Sequence, residues 1–148
     1  MWLQLDTGSS DTWVNPTCTS STNIALCESY PFYNIGFSRT WADIGNPFSV
    51  TYGLGTAAGE YLTDDFTLGA GTKLNQQQFG YAWSTVGLNS GLLAVGPGIA
   101  LTGYPTIIDS LVFQNIISSQ TFSLNLGSVD LTEGMTRNKL SIVLSKLS

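Results

Sequence analysis

Carboxylates are the groups in this sequence that could carry acid–base chemistry. The chain has 10 Asp and Glu residues and no histidine, which excludes the Ser/His/Asp and Cys/His catalytic sets and the common zinc sites. Asp6 is the best placed, because it directly follows the alternating apolar residues Leu3 and Leu5 of a predicted strand. A side chain at the end of a strand points into a cleft, so Asp6 is the first candidate for a general acid or base.

The residues after Asp6 are suited to keep a carboxylate ionised and fixed in direction. Gly8 permits a tight turn and a close approach of backbone amide groups, and the hydroxyl groups of Thr7 and Ser9 can donate hydrogen bonds to the carboxylate. An Asp-Thr-Gly triplet taken alone is equally consistent with an ordinary Asx turn between two strands. The full string over residues 5–14 favours the catalytic interpretation.

The elements that position this loop are predicted to be short β-strands. Apolar residues come in period-two runs or brief stretches, broken about every ten residues by Gly, Asn, Asp or Ser, which is typical of an antiparallel β protein. Two such runs, at 48–52 and 60–68, flank a glycine-bearing turn and predict a long hairpin. One segment, 107–112, has helical spacing instead, with Pro105 suited to its first turn and Asn115 to a left-handed end.

Composition excludes several classes of protein. Charged residues make up 10% of the 148 residues and hydrophobic residues 43%, which indicates one folded domain rather than a disordered segment. The net charge of -5 has the wrong sign for phosphate backbones, so no nucleic-acid partner is expected. No apolar run approaches the length of a membrane span. No cofactor and no metal site are predicted.

The two cysteines, Cys18 and Cys27, enclose a loop-like sequence. A disulfide that closes this loop would stabilise the fold by roughly 2 to 3 kcal/mol, and two unpaired thiols are the alternative. The even count, the low charge and the acidic balance suit an oxidising, extracellular setting.

The string over residues 6–14, Asp-Thr-Gly-Ser-Ser followed by two residues and Trp-Val, resembles the active-site loop of the pepsin-like aspartic proteases. Cys18 and Cys27 occur where that family closes a small disulfide loop. Residues 52–55, Tyr-Gly-Leu-Gly, are similar to the tip of the flap, the hairpin that folds over bound peptide. Further similarities follow in the correct order, at residues 91–93, 104–111, 116–117 and 122–124, and are closest to secreted fungal members.

The resemblance implies a mainly β fold. It corresponds to the N-terminal lobe of a pepsin-like acid protease, with antiparallel sheets, a flap hairpin and one or two short helices. The lobe is expected to span residues 1–128 with its first strands missing. Residues 129–148 match nothing in the family pattern, and we treat them as a tail of unclear structure.

The resemblance also implies aspartic-type endopeptidase activity. In that chemistry, two aspartates share one proton and activate a water molecule that attacks the peptide bond. Asp6 would be the first of the two, held by the active-site loop residues Thr7, Gly8 and Ser9, with Ser9 donating a hydrogen bond to it from outside.

The same resemblance assigns roles in the flap. Tyr52 would close over the substrate, and Gly53 and Gly55 would give the tip the torsional freedom to open and shut. A cross-strand aromatic in an ordinary hairpin is the alternative for Tyr52. Trp13 is expected to pack in the core and to contact Tyr52 through its indole N–H.

The sequence departs from the family pattern in several places. It has no second Asp-Thr-Gly or Asp-Ser-Gly, so it supplies half of the catalytic pair. Ser90 and Ala94 occupy positions where the family motif has Asp and Gly, which puts the packing of that loop in question. The short segment before Asp6 and the unmatched tail suggest a fragment or a shortened variant. We therefore expect the chain alone to be inactive and to need a missing C-terminal lobe that carries the second aspartate.

Two further hypotheses stay open. One is a homodimeric single-lobe protease, in which a second copy supplies the second aspartate. The other is a catalytically dead pepsin-like protein that binds peptides or acts as an inhibitor. In both protease hypotheses the partner is a peptide or protein substrate. The expected location is extracellular or in the secretory pathway, with the vacuole or the cell surface as further options.

Overall fold

The computed structural model describes residues 1–125 and 141–144, and these form eight β-strands and three short α-helices. The strands are β1 (Leu3–Asp6), β2 (Trp13–Val14), β3 (Ala42–Tyr52), β4 (Gly55–Thr67), β5 (Lys73–Val86), β6 (Gly91–Ala94), β7 (Phe122–Asn125) and β8 (Ser141–Leu144). The helices are α1 (Ile24–Glu28), α2 (Ile99–Thr102) and α3 (Ile107–Phe113). No helix among these residues is long and apolar enough to cross a membrane.

Six strands form one mixed sheet in the order β1, β6, β2, β5, β4, β3. The long strands β3, β4 and β5 are antiparallel neighbours, whereas β1 pairs with β6 and β2 pairs with β5 in parallel. A separate sheet consists of β7 and β8. The prediction of a mainly β fold is confirmed, and β1, the strand that ends at Asp6, lies at one edge of the larger sheet.

The predicted hairpin is formed by β3 and β4. Tyr52 pairs with Gly55 across the turn, and the pairing continues back to Ala42, with an irregularity between Asp43 and Pro47. The first strand of the hairpin is therefore longer than the predicted run at 48–52. Residues 42–47 show no period-two pattern, but their backbone groups still pair with β4.

Buried apolar side chains connect the hairpin to the active-site loop. Trp13 and Phe48 are both almost fully buried and pack together with Ala57, Ala82 and Leu92. Burying an aromatic side chain of this size contributes roughly 1.5 to 3 kcal/mol. The core therefore fixes β2, which follows the loop, against the base of the hairpin.

The helices differ in detail from the predictions. Three occur where one or two were expected, because the disulfide loop contains α1 and a further short turn forms α2. Helix α3 is capped by Thr106, which with Asp109 completes a capping box, so the placement of Pro105 in the first turn was wrong. The cap satisfies the free amides at the helix start, and Pro105 lies before it. Asn115 has φ 56°, which confirms the left-handed end.

The disulfide between Cys18 and Cys27 is present, with Cα atoms 5.4 Å apart. The loop that it closes is anchored to the segment before β6, where the side-chain oxygen of Asn89 accepts hydrogen bonds from Ser21, Thr22 and Asn23. The bridge and these three hydrogen bonds make the loop a compact unit against the end of β5.

The predicted tail, residues 129–148, lies mostly outside the described residues. The exception is β8, which pairs with β7 from Phe122 to Asn125 in antiparallel register. The boundary at residue 128 therefore stays a prediction.

Candidate active site

Asp6 lies at the carboxyl end of β1. Asp6 pairs with Ala94 of β6, and the Asp6 carbonyl oxygen accepts a hydrogen bond from the Val95 amide at 2.9 Å. Its side chain is half-buried, and Oδ1 accepts a hydrogen bond from the Gly8 amide at 2.8 Å. The expected close approach of a backbone amide to this carboxylate is therefore present, and it fixes the direction of the carboxylate.

The hydroxyl groups on either side of Gly8 do not contact Asp6 in the way the sequence suggested. Ser9 Oγ is buried and has no hydrogen-bond partner among the described residues, so the predicted bond from Ser9 to Asp6 is absent. It lies near the Tyr52 hydroxyl, but the two groups do not meet hydrogen-bond geometry. The Ser9 carbonyl accepts the Gly96 amide at 2.8 Å, which anchors the backbone of Ser9 to the segment after β6. Thr7 is exposed.

The loop is anchored to β6 and to the segment that follows it. Ser10 Oγ donates to the Pro97 carbonyl at 2.5 Å, and the Ala94 amide donates to Thr12 Oγ1 at 3.0 Å. A Cβ at Gly96 would lie 2.4 Å from the Ser9 carbonyl oxygen, so only glycine permits this approach. Ala94, which stands where the family motif has glycine, is fully buried in β6. The strand therefore accommodates its methyl group.

The side chains of Trp13 and Tyr52 are hydrogen-bonded to each other. The buried Trp13 Nε1–H donates to the Tyr52 hydroxyl oxygen at 3.0 Å, which confirms the expected contact. Burial raises the pKa of Tyr52, and the hydrogen bond from Trp13 partly offsets that effect. Tyr52 is therefore a neutral phenol whose hydroxyl is held in place at the end of β3.

The two glycines of the hairpin turn have different surroundings. A Cβ at Gly55 would lie 2.0 Å from the Val86 carbonyl oxygen, whereas a Cβ at Gly53 would meet nothing within 4 Å. Neither glycine has a positive φ. Gly55 is thus required for close packing against the end of β5, and the role of both residues in flap opening stays a prediction. Leu54, at the tip, is 85% exposed.

A tyrosine pair around Asp11 was not found by sequence reasoning. Asp11 Oδ1 accepts hydrogen bonds from the Tyr61 hydroxyl at 2.9 Å and from the Tyr104 hydroxyl at 2.8 Å. Burial, with the hydrogen bond to Asp11 and its charge, raises the pKa of both tyrosines, so both donate as neutral phenols. The tyrosines are 50 and 93 residues from Asp11, and nothing in the local pattern connects them.

Asp6 is a half-buried carboxylate with few hydrogen-bond partners. Among the described residues, no group of three or more His, Cys, Asp and Glu side chains could hold a metal ion. The loop therefore offers a half-buried carboxylate with one hydrogen bond from a backbone amide.

Comparison with known proteins gives the family. A sequence model described as eukaryotic aspartyl protease matches residues 1–137. This chain belongs to the eukaryotic aspartyl protease family.

Relatives within this aspartyl protease family include animal and fungal enzymes. Cathepsin E of Rattus norvegicus is 32% identical over 131 residues, which are 83% of this chain and 32% of the relative. Rhizopuspepsin-2 of Rhizopus niveus is 37% identical over 134 residues, 84% of this chain and 33% of the relative. The probable aspartic-type endopeptidase opsB of Aspergillus fumigatus is 34% identical over 144 residues, 89% of this chain and 29% of the relative.

The chain therefore spans about a third of the length of the curated relatives that it matches. A solved structure, the aspartic proteinase from Irpex lacteus, superposes with a TM-score of 0.72 at 24% identity and covers 99% of this chain and 41% of its own. That likeness confirms the pepsin-like lobe as the fold.

Proposed function

We propose that this chain is the aspartate-bearing N-terminal lobe of a pepsin-like endopeptidase and that Asp6 is one of its two catalytic carboxylates. The observation that carries the proposal is the place of the half-buried Asp6 at the carboxyl end of β1, in a loop anchored to β6. The Gly8 amide at 2.8 Å orients the side chain as in an Asx turn. Family membership supports the same chemistry. The substrate class is a peptide or protein, bound in extended form beneath the β3–β4 hairpin.

The proposed reaction needs a second carboxylate. Two carboxylates a few ångströms apart cannot both ionise cheaply, so the pair holds one proton. The ionised carboxylate takes a proton from a water molecule, whose oxygen attacks the peptide carbonyl carbon, while the protonated carboxylate donates a hydrogen bond to the carbonyl oxygen. The C–N bond then breaks as the nitrogen gains a proton from the pair. Asp6 cannot supply both roles, so the chain alone is inactive.

The second lobe has to approach Asp6 beside Thr7. Thr7 is exposed and lines an open cavity of about 280 Å³ together with Pro97 and Phe122. Thr7 directly follows Asp6, so this exposed concave face begins on the loop that bears the carboxylate. We therefore assign this face to the C-terminal lobe, and we keep residues 1–128 as the extent of the N-terminal lobe.

Complementation by a separate lobe tests the proposal. The purified chain is mixed with the separately produced C-terminal lobe of a relative such as rhizopuspepsin-2, and cleavage of an unstructured protein is followed at acid pH. We expect cleavage in the mixture and none from either lobe alone. The Asp6→Asn mixture should lose activity by about 10²- to 10⁴-fold, the usual contribution of a positioned acid or base, while Asp43→Asn, an exposed site, should not.

The alternatives give different results in the same experiment. Cleavage by the chain alone that Asp6→Asn abolishes would support the homodimer. Tight peptide binding without turnover in the mixture would support the binding or inhibitor protein. Full activity of the Asp6→Asn mixture would overturn the assignment of Asp6.

We also propose an extracellular or secretory-pathway location, with the vacuole and cell surface included. The Cys18–Cys27 disulfide supports it, because such bonds persist in oxidising compartments. Detection of the natural protein in the cytosol with both thiols free would contradict this location.

A further inference from the structure

The disulfide loop, which Cys18 and Cys27 close, is attached to the last residues of β5. The first attachment is made by Thr17, directly before the loop. Its amide donates a hydrogen bond to Thr85 Oγ1 at 2.6 Å, and the Thr85 amide donates one back to Thr17 Oγ1 at 3.2 Å. Thr17 Oγ1 also donates to the Trp83 carbonyl at 3.1 Å. Thr85 is 2% exposed, so this attachment is shielded from water.

Ser20, inside the loop, makes the second attachment. Its hydroxyl donates a hydrogen bond to the Thr85 carbonyl, and its carbonyl accepts one from the Gly87 amide at 2.8 Å. Both backbone polar groups of Thr85 are thus bonded to the loop side. The other edge of the same segment pairs with β4, where Thr56 lies opposite Val86. The end of β5 is therefore held by β4 along one edge and by the disulfide loop along the other.

The turn of the β3–β4 hairpin packs directly on this end of β5. A Cβ at Gly55 would lie 2.0 Å from the Val86 carbonyl oxygen, and a Cβ at Gly87 would lie 2.4 Å from the Leu54 carbonyl oxygen. The two backbones approach this closely only because neither position carries a side chain. The tip of the hairpin therefore takes its position from the strand end that the disulfide loop holds.

Tyr52 connects this turn to the cleft. It pairs with Gly55 across the turn, and its hydroxyl accepts the hydrogen bond from the buried Trp13 at 3.0 Å. Leu88, which follows the held segment, packs on the same apolar cluster as Trp13 and Tyr52. Direct contacts therefore join the disulfide loop to the tyrosine hydroxyl at the end of β3.

We propose that the disulfide loop is a brace for the flap and that Thr17 and Ser20 are positioning residues for the substrate cleft. Their hydrogen bonds hold the end of β5, the end of β5 holds the hairpin turn, and the turn holds Tyr52 over the bound peptide. The inference rests on the proposed function where it concerns the peptide, and on the chain alone where it concerns the position of the hairpin. Loss of the brace thus weakens peptide binding and leaves Asp6 unchanged.

Amide hydrogen exchange of the chain as it exists tests the brace. Thr17→Val removes a hydroxyl group at nearly constant shape, and Ser20→Ala removes one at an exposed position. We expect the amides of residues 56–58 and 84–87 to exchange about fivefold faster in either variant, which is the value of one hydrogen bond. The amides of Leu62 and Phe79, fully buried in the same two strands, should exchange at the rate of the unmodified chain.

Further variants separate the brace from the loop as a whole. Ser29→Ala is the matched control, because the Ser29 hydroxyl donates to the Leu26 carbonyl at 2.7 Å within the helix segment and not to β5. It should leave exchange at the turn unchanged, and Ser20→Thr, which keeps the hydroxyl group, should restore it. The double variant Cys18→Ala, Cys27→Ala frees the loop and should speed exchange at the turn by more than either single variant. Exchange of the Trp13 indole N–H reports whether the effect reaches Tyr52.

Kinetics of the complemented enzyme separate positioning from stability. Thr17→Val should raise KM about fivefold and change kcat less than twofold, because the peptide loses contacts with the hairpin while the carboxylates stay in place. A variant that merely lowered stability would reduce the number of active molecules, and so the apparent kcat, at unchanged KM.

The outcomes separate this inference from the proposed function. Equal acceleration at Leu62 and Phe79 would reduce the effect to general stability and overturn the brace. Unchanged exchange at the turn or at the Trp13 indole in both variants would overturn it, and so would an unchanged KM. Failure of the complemented enzyme to cleave would contradict the proposed function, while the exchange rates, which need no cleavage, still decide the brace. Ser20→Ala decides it even if Thr17→Val does not fold.

Discussion

Two carboxylates on different strands of the six-stranded sheet are used in opposite ways. At the end away from the flap, Asp64 is 4% exposed and accepts hydrogen bonds from Tyr33, Ser38, Thr40 and the Asp65 amide. Asp6, at the carboxyl end of β1, is half-buried and accepts one, from the Gly8 amide.

The difference separates a structural carboxylate from a chemically available one. Every donor on Asp64 comes from the protein, so this side chain joins the loop before β3 to β4 and has no capacity left for a ligand. Asp6 accepts one hydrogen bond and keeps its other acceptor positions free of protein donors within the described residues, which adds little to folding. The number of hydrogen bonds that a carboxylate receives is thus a guide to its role.

The largest effect on stability is expected from Asp64. Asp64→Asn should lower the free energy of unfolding by about 2 to 3 kcal/mol, because buried donors lose a charged acceptor. Asp6→Asn should change it by less than about 0.5 kcal/mol, as at other partly exposed positions. Urea denaturation of the two variants measures both values. Equal losses would remove the distinction between the two carboxylates.

The next effect concerns the turn of the hairpin. Gly55→Ala should cost about 1 to 3 kcal/mol, since its Cβ would overlap a backbone carbonyl. Gly53→Ala is the matched control and should cost less than about 0.5 kcal/mol, because its Cβ meets nothing within 4 Å. Thermal unfolding of the pair tests this. A larger loss at Gly53 would show that the tip, rather than its junction with β5, limits stability.

A smaller effect is expected from Tyr52→Phe. The buried Trp13 N–H would lose its acceptor, at a cost of about 1 kcal/mol. Tyr81→Phe is a suitable control, because the Tyr81 hydroxyl has no hydrogen-bond partner among the described residues. Chemical denaturation gives the difference between the two. An equal cost for both would mean that the flap end gains nothing from this contact.

The smallest effect is on acid sensitivity. Burial acts to raise the pKa of Asp64, but the hydrogen bonds from Thr40, Ser38, Tyr33 and Asp65 outweigh it, and the pKa is lowered. A lowered folded-state pKa contributes stability above the unfolded value of about 4, and that stability disappears as the pH falls through the folded value. The stability advantage over Asp64→Asn should thus be constant above about pH 5 and decline below pH 4. A constant advantage down to pH 2 would contradict the lowered pKa.

The sequence predicted the local features of the site and missed those that depend on distant contacts. The strand before Asp6, the Gly8 approach, the hairpin and the disulfide follow from local patterns or from the family resemblance. The hydrogen bond of the Ser9 carbonyl to the Gly96 amide after β6 could not be predicted, because it joins residues 87 positions apart.

The surroundings of Asp11 were missed for the same reason. The two tyrosines that hold it come from β4 and from the segment before α3, and only the packed sheet brings them to one oxygen. The start of α3 was misjudged because Thr106 is the N-cap. The helix therefore begins at Ile107, and Pro105 lies before the cap.

The place of β1 at the sheet edge has a practical consequence for handling the protein. One side of this four-residue strand has no neighbour among the described residues, and open strand edges recruit other chains. Concentrated preparations should therefore self-associate through the strand that bears Asp6. Dilution, or a short peptide that caps the edge, should restore monomers.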